Sequence, residues 1–156
     1  MGAIYHADVW CDDCADDIKS NLQSLGADPV DYDDESVYDS DEYPKWYDED
    51  TEESDYPQHC AGCRRFLENP LTTDGMNYVR DTVRDDVRSG HTDSVAVTEW
   101  FPYYSNWLDF SPVGHCDGCE KLTADISIDG YCESCEQAYD AAQTDYSSEA
   151  DYWDNY

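Results

Sequence analysis

All eight cysteines of this chain fall in four Cys-x-x-Cys pairs, Cys11/Cys14, Cys60/Cys63, Cys116/Cys119 and Cys132/Cys135, and no other feature limits its possible folds so strongly. Two such pairs brought together offer four thiolates, the donor set of a closed tetrahedral zinc site. Pairing by proximity puts Cys11, Cys14, Cys60 and Cys63 on one ion and Cys116, Cys119, Cys132 and Cys135 on a second. A crossed pairing of half-sites also satisfies the spacing. The expected cofactor is zinc, two ions per chain. Disulfides are the competing use of eight cysteines, but the uniform pairing and the lack of a secretion signal in the first eight residues favour metal.

The half-sites are of two kinds. Pro57-Gln-His-Cys60-Ala-Gly-Cys63 and Val113-Gly-His-Cys116-Asp-Gly-Cys119 share the run His-Cys-x-Gly-Cys. This reads as a zinc knuckle, in which the Gly is expected to turn with positive φ and aim amide hydrogens at the sulfurs. His59 and His115 are expected beside the metal or exposed rather than catalytic. The other two pairs open helices. Cys11 to Leu25 carries Ile18, Leu22 and Leu25 at helical spacing, with Gly26 as a stop and Asp12, Asp13, Asp16 and Asp17 near the N-terminus. Residues Ala3 to Trp10 before it predict one short strand. Glu136 to Ala142 predicts a helix whose N-terminus would help hold Cys132 and Cys135 as thiolates. Ile126 and Ile128 alternate ahead of Asp129-Gly130, the pattern of a hairpin. Trp10-Cys11-Asp-Asp-Cys14 also has the form of a thioredoxin redox motif, but Asp12 and Asp13 disfavour the low-pKa thiolate that such chemistry needs.

Charge is the second constraint. The chain has 38 Asp and Glu against 8 Lys and Arg, a formal charge of -30. Eight thiolates add eight negative charges and two zinc ions remove four, which takes the sum to -34. Nucleic acid and anionic membranes are therefore excluded as direct partners, since binding either would oppose like charges. A basic, nucleic-acid-binding protein is the partner that fits. Adaptation to a salt-rich cytoplasm is the competing explanation. Hydrophobic residues make up 40% of the chain but include 14 Tyr, so the core is expected to be thin and stapled by metal. No run reaches membrane-spanning length. The expected location is the cytoplasm, of the host if the chain is viral.

Acid is densest over 28–55, where Lys45 is the one basic residue. Such a run reads either as a solvated linker or, because of its aromatics, as a segment ordered against the body or a partner. The candidate partner-binding residues are Asp33, Asp34, Glu35, Tyr38, Asp39, Asp41, Glu42, Tyr43, Trp46 and Tyr47. Their carboxylates can pair with Arg and Lys that normally hold phosphates, and their rings offer faces for guanidinium stacking. Asp74 to Gly90 is the clearest helix, with Met76, Val79, Val83 and Val87 on one face and a cap at Thr73 or Asp74. The stripe Arg80, Arg84, Arg88 lies beside Asp81 and Asp85 and predicts an exposed face laced with ion pairs, ahead of an anion site. From Asp93 to Phe110, Val97, Trp100, Phe101, Tyr104, Trp107 and Leu108 recur at helical spacing, with Pro102 expected to kink or interrupt the helix. This segment is expected to be core, with a partner-binding face as the other reading.

Four stretches carry a resemblance: Ala7-Asp-Val-Trp-Cys-Asp-Asp-Cys-Ala15, Tyr38-Asp-Ser-Asp-Glu-Tyr-Pro-Lys45, Pro57-Gln-His-Cys60 and Phe66-Leu-Glu-Asn-Pro-Leu-Thr-Thr-Asp-Gly75. Over about the first ninety residues the chain resembles uncharacterised small CxxC-containing proteins of phages and bacteria. That resemblance implies no activity and no functional residues. The C-terminal order of knuckle, hairpin and CxxC on a helix resembles a treble-clef zinc finger over roughly thirty residues.

The expected fold is α+β: small zinc-stapled modules of knuckles, hairpins and short helices, with an acidic, partly irregular insert. The expected organisation is an N-terminal zinc module over 1–92 containing the insert 28–55, an aromatic helical segment over 93–112, a treble-clef-like module over 113–143 and an acidic aromatic tail over 144–156. Catalysis is not expected, because four thiolates leave zinc no open coordination position. The expected function is binding of a basic protein surface, most sharply as a nucleic-acid mimic that inhibits a host nucleic-acid-binding or defence protein. The alternative is a halophile-adapted zinc-finger scaffold, adaptor or viral structural protein.

Overall fold

Strands β1 (Gly2–Tyr5) and β2 (Asp8–Cys11) form a two-residue hairpin whose turn residues, His6 and Ala7, have φ of 52° and 61°. The single strand expected over Ala3 to Trp10 is thus two. Left-handed turn residues match the twist of paired strands, but Asn-Gly usually supplies them and His-Ala gives no such signal. The computed structural model describes residues 2–29, 31, 34, 36–47 and 53–142. Strand β3 (Lys45–Tyr47) joins the far edge of β1, giving the antiparallel order β2-β1-β3. Helix α1 (Asp12–Ser24) begins on the residue after β2, so Cys11 ends a strand and Cys14 lies on the first helical turn. Gly26, at φ 72°, closes α1 by donating to Gln23 O while Ala27 donates to Leu22 O. A Cβ would penalise that conformation.

Residues 36–47 are folded. Tyr38 and Tyr43 are buried, their rings edge to face at 5.7 Å, and the Lys45 ammonium lies 5.4 Å from the centre of the Tyr38 ring. Between the two tyrosines the chain makes one tight turn. The Asp39 N–H donates to the Glu42 carboxylate, and the N–H groups of Glu42 and Tyr43 donate to Asp39 O. The Asp39 carboxylate in turn accepts from Asp41 N–H at 3.3 Å, so side-chain and backbone bonds together close the turn. Residues 32, 33, 35 and 48–52, Asp33 and Glu35 among them, lie outside the described residues.

The Pro57-Gln-His-Cys60 and Phe66 to Gly75 stretches pair with each other. Leu67 N–H donates to Gln58 O at 3.0 Å, and His59 bridges Phe66. Asn69 is buried at 2% exposure. Its Oδ1 accepts from Gln58 N–H at 2.7 Å and its Nδ2 donates to Pro70 O at 3.0 Å. Helix α2 (Thr73–Arg88) is capped by Thr72, whose Oγ1 accepts from Gly75 N–H at 3.1 Å. The cap therefore lies ahead of the expected Thr73 or Asp74; in a run of three capping residue types, spacing alone does not choose. Val79, Val83 and Val87 are buried, as their period predicts.

A first unit of the chain ends at Val79 and a second begins at Arg80, inside α2. In the second, the arginine stripe reaches beyond its own helix. Arg80 Nε donates to Asp109 O at 2.9 Å, Arg84 Nη2 to Ser111 O at 3.5 Å, and Arg88 Nη2 lies 3.3 Å from Asp125. The expected pairs with Asp81 and Asp85 are longer, at 3.9 Å. The stripe thus clasps the 109–111 segment as well as lacing an exposed face. Pro102 does not end the aromatic helix. A π-turn over Ala96–Trp100, with Phe101 N–H donating to Ala96 O, runs directly into α3 (Phe101–Tyr104). The wider turn makes room for a proline ring that would collide with the carbonyl four residues back. Tyr104, Val97, Leu108 and Phe110 are buried, and Phe101 packs edge to face on Phe110 at 5.0 Å. Trp107 stays 50% exposed.

The last hairpin is β4 (Gly114–His115) with β5 (Leu122–Thr123), and residues 133–142 form helix α4. Ile126 and Ile128 do not form the expected strand. Ile126 N–H donates to Pro112 O, and Ile128 stands fully exposed in a turn closed by Gly130 N–H to Ser127 O. Among the described residues the architecture is α+β, with four helices, short antiparallel sheets and two four-cysteine clusters. The tail expected over 144–156 lies outside the described residues. Among them no helix is long and apolar enough to cross a membrane.

Asn69→Ala removes the acceptor of a buried amide and should lower stability by about 1–3 kcal/mol. Urea unfolding of the zinc-loaded protein measures it; an unchanged midpoint would mean that these bonds contribute nothing.

Candidate metal centres

The two knuckles repeat each other bond for bond. Cys60 N–H donates to Arg65 O and Arg64 N–H to Cys60 O; Cys116 N–H donates to Lys121 O and Glu120 N–H to Cys116 O. His59 faces Phe66 as His115 faces Leu122. His115 Nδ1 lies 3.0 Å from Glu120 O, so this ring braces the knuckle.

The left-handed residue is not the glycine. It is the residue after the second cysteine, Arg64 at φ 65° and Glu120 at φ 60°. The glycines serve close approach instead. A Cβ on Gly62 would lie 2.8 Å from the Trp10 ring and 3.3 Å from Cys14 Sγ; one on Gly118 would lie 3.1 Å from Cys135 Sγ and 3.3 Å from the Tyr131 ring. Each glycine thus lets the helical half-site press against its knuckle.

That approach assembles two clusters, Cys11-Cys14-Cys60-Cys63 and Cys116-Cys119-Cys132-Cys135, whose sulfurs lie within 4.8 Å of one another. The half-sites pair by proximity and not in the crossed arrangement. Cys11 Sγ is 3.7 Å from Cys63 Sγ, and Cys119 Sγ is 3.9 Å from Cys132 Sγ. Zinc–sulfur bonds of about 2.3 Å in a tetrahedron require sulfurs about 3.8 Å apart. A disulfide requires about 2.05 Å, and all eight cysteines are free. Donor type, number and spacing all fit zinc, and each cluster can hold one ion.

Backbone amides prepare the knuckle sulfurs. Burial pushes the Cys60 thiol up, but the N–H groups of Cys11, Cys63 and Gly62 outweigh it and bring it down to about 6. At Cys116 the N–H of Cys132, 3.3 Å from the sulfur, leads the same effect and brings it down to about 6. On the helical side, hydrogen bonding from Ser134 Oγ and then from Cys135 N–H lowers Cys132, whereas sharing a hydrogen bond with Cys132 pushes Cys135 up to about 12. Among the metal-free sulfurs the first helical turn thus favours the Cys132 thiolate, through Ser134 and Cys135 N–H, while Cys135 holds the shared proton. Cys14 likewise rises to about 12, first through its bond to Cys11, and burial raises Cys11. Four adjacent sulfurs cannot all ionise alone; a divalent cation at their centre removes the repulsion.

Arg65 is a residue that pattern reading passed over. The Cys11 charge and then Asp13, 3.2 Å away, raise its pKa, so a fixed cation stands beside the first cluster. Lys121 occupies the same knuckle position in the second. Its signal was available in the repeat, where both knuckles place a basic residue five positions after the first cysteine.

Of the candidate partner-binding residues, Asp34, Asp39, Asp41 and Glu42 are exposed, Trp46 and Tyr47 are half-buried on β3, and Tyr38 and Tyr43 are buried in the protein's own core. Bonds from the Ser36 hydroxyl and N–H hold Asp34 below the usual carboxylate range, and Asp41 N–H does the same for Asp39. No protein-family model, curated protein or solved structure matches the chain. The resemblances of the first ninety residues to phage and bacterial proteins and of the C-terminal part to a treble clef rest on sequence pattern alone.

Metal analysis of protein purified without added metal should find two zinc ions per chain; no zinc, with four disulfides by mass spectrometry, would sink the assignment. Cys116→Ser should remove hydrogen-exchange protection across 113–142 while leaving the strands of the first unit protected, because metal supplies the folding energy locally. Gly62→Ala should weaken zinc binding more than Gly118→Ala does, since its clash is the closer one. Chelator competition on the two variants checks the order.

Proposed function

We propose that the protein is a non-catalytic, zinc-stapled acidic protein that binds a basic protein surface and acts there as a nucleic-acid mimic. The observation that carries this reading is the exposed carboxylates Asp39, Asp41 and Glu42 on a folded turn, with Asp34 exposed ahead of it, in a chain of net charge -30. Tyr38 and Tyr43 anchor the turn by their buried rings, which leaves its carboxylates facing solvent, where a basic surface can meet them. Basic groups that could neutralise acid are partly used inside the protein, by Arg65 with Asp13 and Arg88 with Asp125. Four-thiolate zinc is closed to substrate, which supports a structural use of the metal.

Exposed carboxylates in both units, such as Asp16 and Asp17 in the first and Asp117 and Asp129 in the second, favour a second reading, a scaffold adapted to high salt. Salt separates the two. A mimic is folded at low salt, retains a basic partner there, and loses it steeply to added salt, duplex DNA or RNA. Circular dichroism across a salt series, with pull-down from host lysate and nucleic-acid competition, makes the comparison. Replacing Asp39, Asp41 and Glu42 by their amides should reduce partner retention at least tenfold without loss of zinc. Folding that requires molar salt, or no basic partner at low salt, overturns the mimic.

A further inference from the structure

Within the second unit, Tyr131 and Tyr139 hold their rings nearly parallel, at 13° and 6.1 Å between centres. They line a hollow of about 440 Å³ together with Asp129, Glu136 and Asp140. We propose that this hollow is a binding site for a cationic side chain, an arginine or lysine presented by a basic peptide segment of another protein.

The walls are fixed by the metal module. Tyr131 directly precedes Cys132, and its N–H lies 3.3 Å from Ser127 Oγ in the turn that carries Asp129. Glu136, Tyr139 and Asp140 follow on successive turns of α4, the helix that begins between Cys132 and Cys135. Cys132 and Cys135 of the second cluster thus lie in the chain between the two sides of the hollow. Tyr139 is 56% exposed, an unusual position for a large ring held in a stack. The two rings face each other too closely to admit a cation between them, but the exposed Tyr139 ring can attract one through its quadrupole, and the surrounding carboxylates select the same sign.

The occupant comes from outside the chain's own C-terminal end. No Lys or Arg follows Lys121 in the sequence, so 143–156 contain no cation to fill the hollow. A planar guanidinium or an alkyl ammonium enters such a space readily, whereas an anion or a second acidic segment is repelled. The site is independent of the acidic turn at 34–42, although both ask for a basic partner.

The test titrates zinc-loaded full-length protein with short peptides carrying one arginine, one lysine or neither, and with spermidine, following the tyrosine ring signals by NMR. The arginine or lysine peptide should shift both Tyr131 and Tyr139, and the neutral peptide should shift neither. Tyr139→Leu and Glu136→Gln should each weaken binding about fivefold with zinc content unchanged. Amide substitutions at Asp39, Asp41 and Glu42 should leave the titration as it was, so the hollow and the acidic turn can each fail alone. Binding of spermidine without the peptides, or equal affinity in Tyr139→Leu, overturns the proposal.

Discussion

Four thiolates held within 4.8 Å of one another repel strongly without a cation and are highly favourable with one, and the rest of the fold is arranged around that fact. The knuckle amides bring one sulfur in each cluster close to ionisation before metal arrives. The glycines at 62 and 118 bring the opposite half-site near enough to share an ion. Strand β2, helix α1 and helix α4 have their ends at cluster cysteines, so the elements are placed by coordination as much as by packing.

The apolar core that accompanies the metal is small, and long side chains extend it. Tyr38 and Tyr43 pin the acidic turn, Tyr104 fills the centre of the aromatic segment, and three arginines of α2 hold backbone carbonyls or a carboxylate of the second unit. Arginine stems can cover apolar surface while the heads bond, a useful economy in a chain so poor in aliphatic residues. The same residues explain how so acidic a stretch stays folded: its rings face inward and its carboxylates outward.

Much of this was legible in advance. Four Cys-x-x-Cys pairs announce both clusters, the valines of α2 announce its buried face, and the repeated His-Cys-x-Gly-Cys announces two like knuckles. What stayed hidden depends on contacts distant in sequence or on backbone states without a residue signature. His6 and Ala7 turn left-handed with neither glycine nor asparagine to mark it. Gly62 reads as a conformational glycine and proves to be a steric one, because only the fold reveals Trp10 above it. Pro102 reads as a break, and the π-turn before it absorbs the strain. Tyr38 and Tyr43 read as rings offered to a partner, since no periodicity tells a buried tyrosine from an exposed one in an irregular segment.

The two centres also differ in the length of chain each would close. The second ties together half-sites a short step apart, whereas the first fastens Cys14 to Cys60 and so secures both ends of everything between them, the acidic turn included. Loop closure grows costlier only slowly with length, by about 0.6 kcal/mol for each doubling. Added length between those cysteines therefore costs little in closure, provided β3 keeps its pairing with β1 and Tyr38 and Tyr43 stay buried. A metal clasp of this kind fixes the two ends of the span, while the sheet and the two buried tyrosines hold its middle.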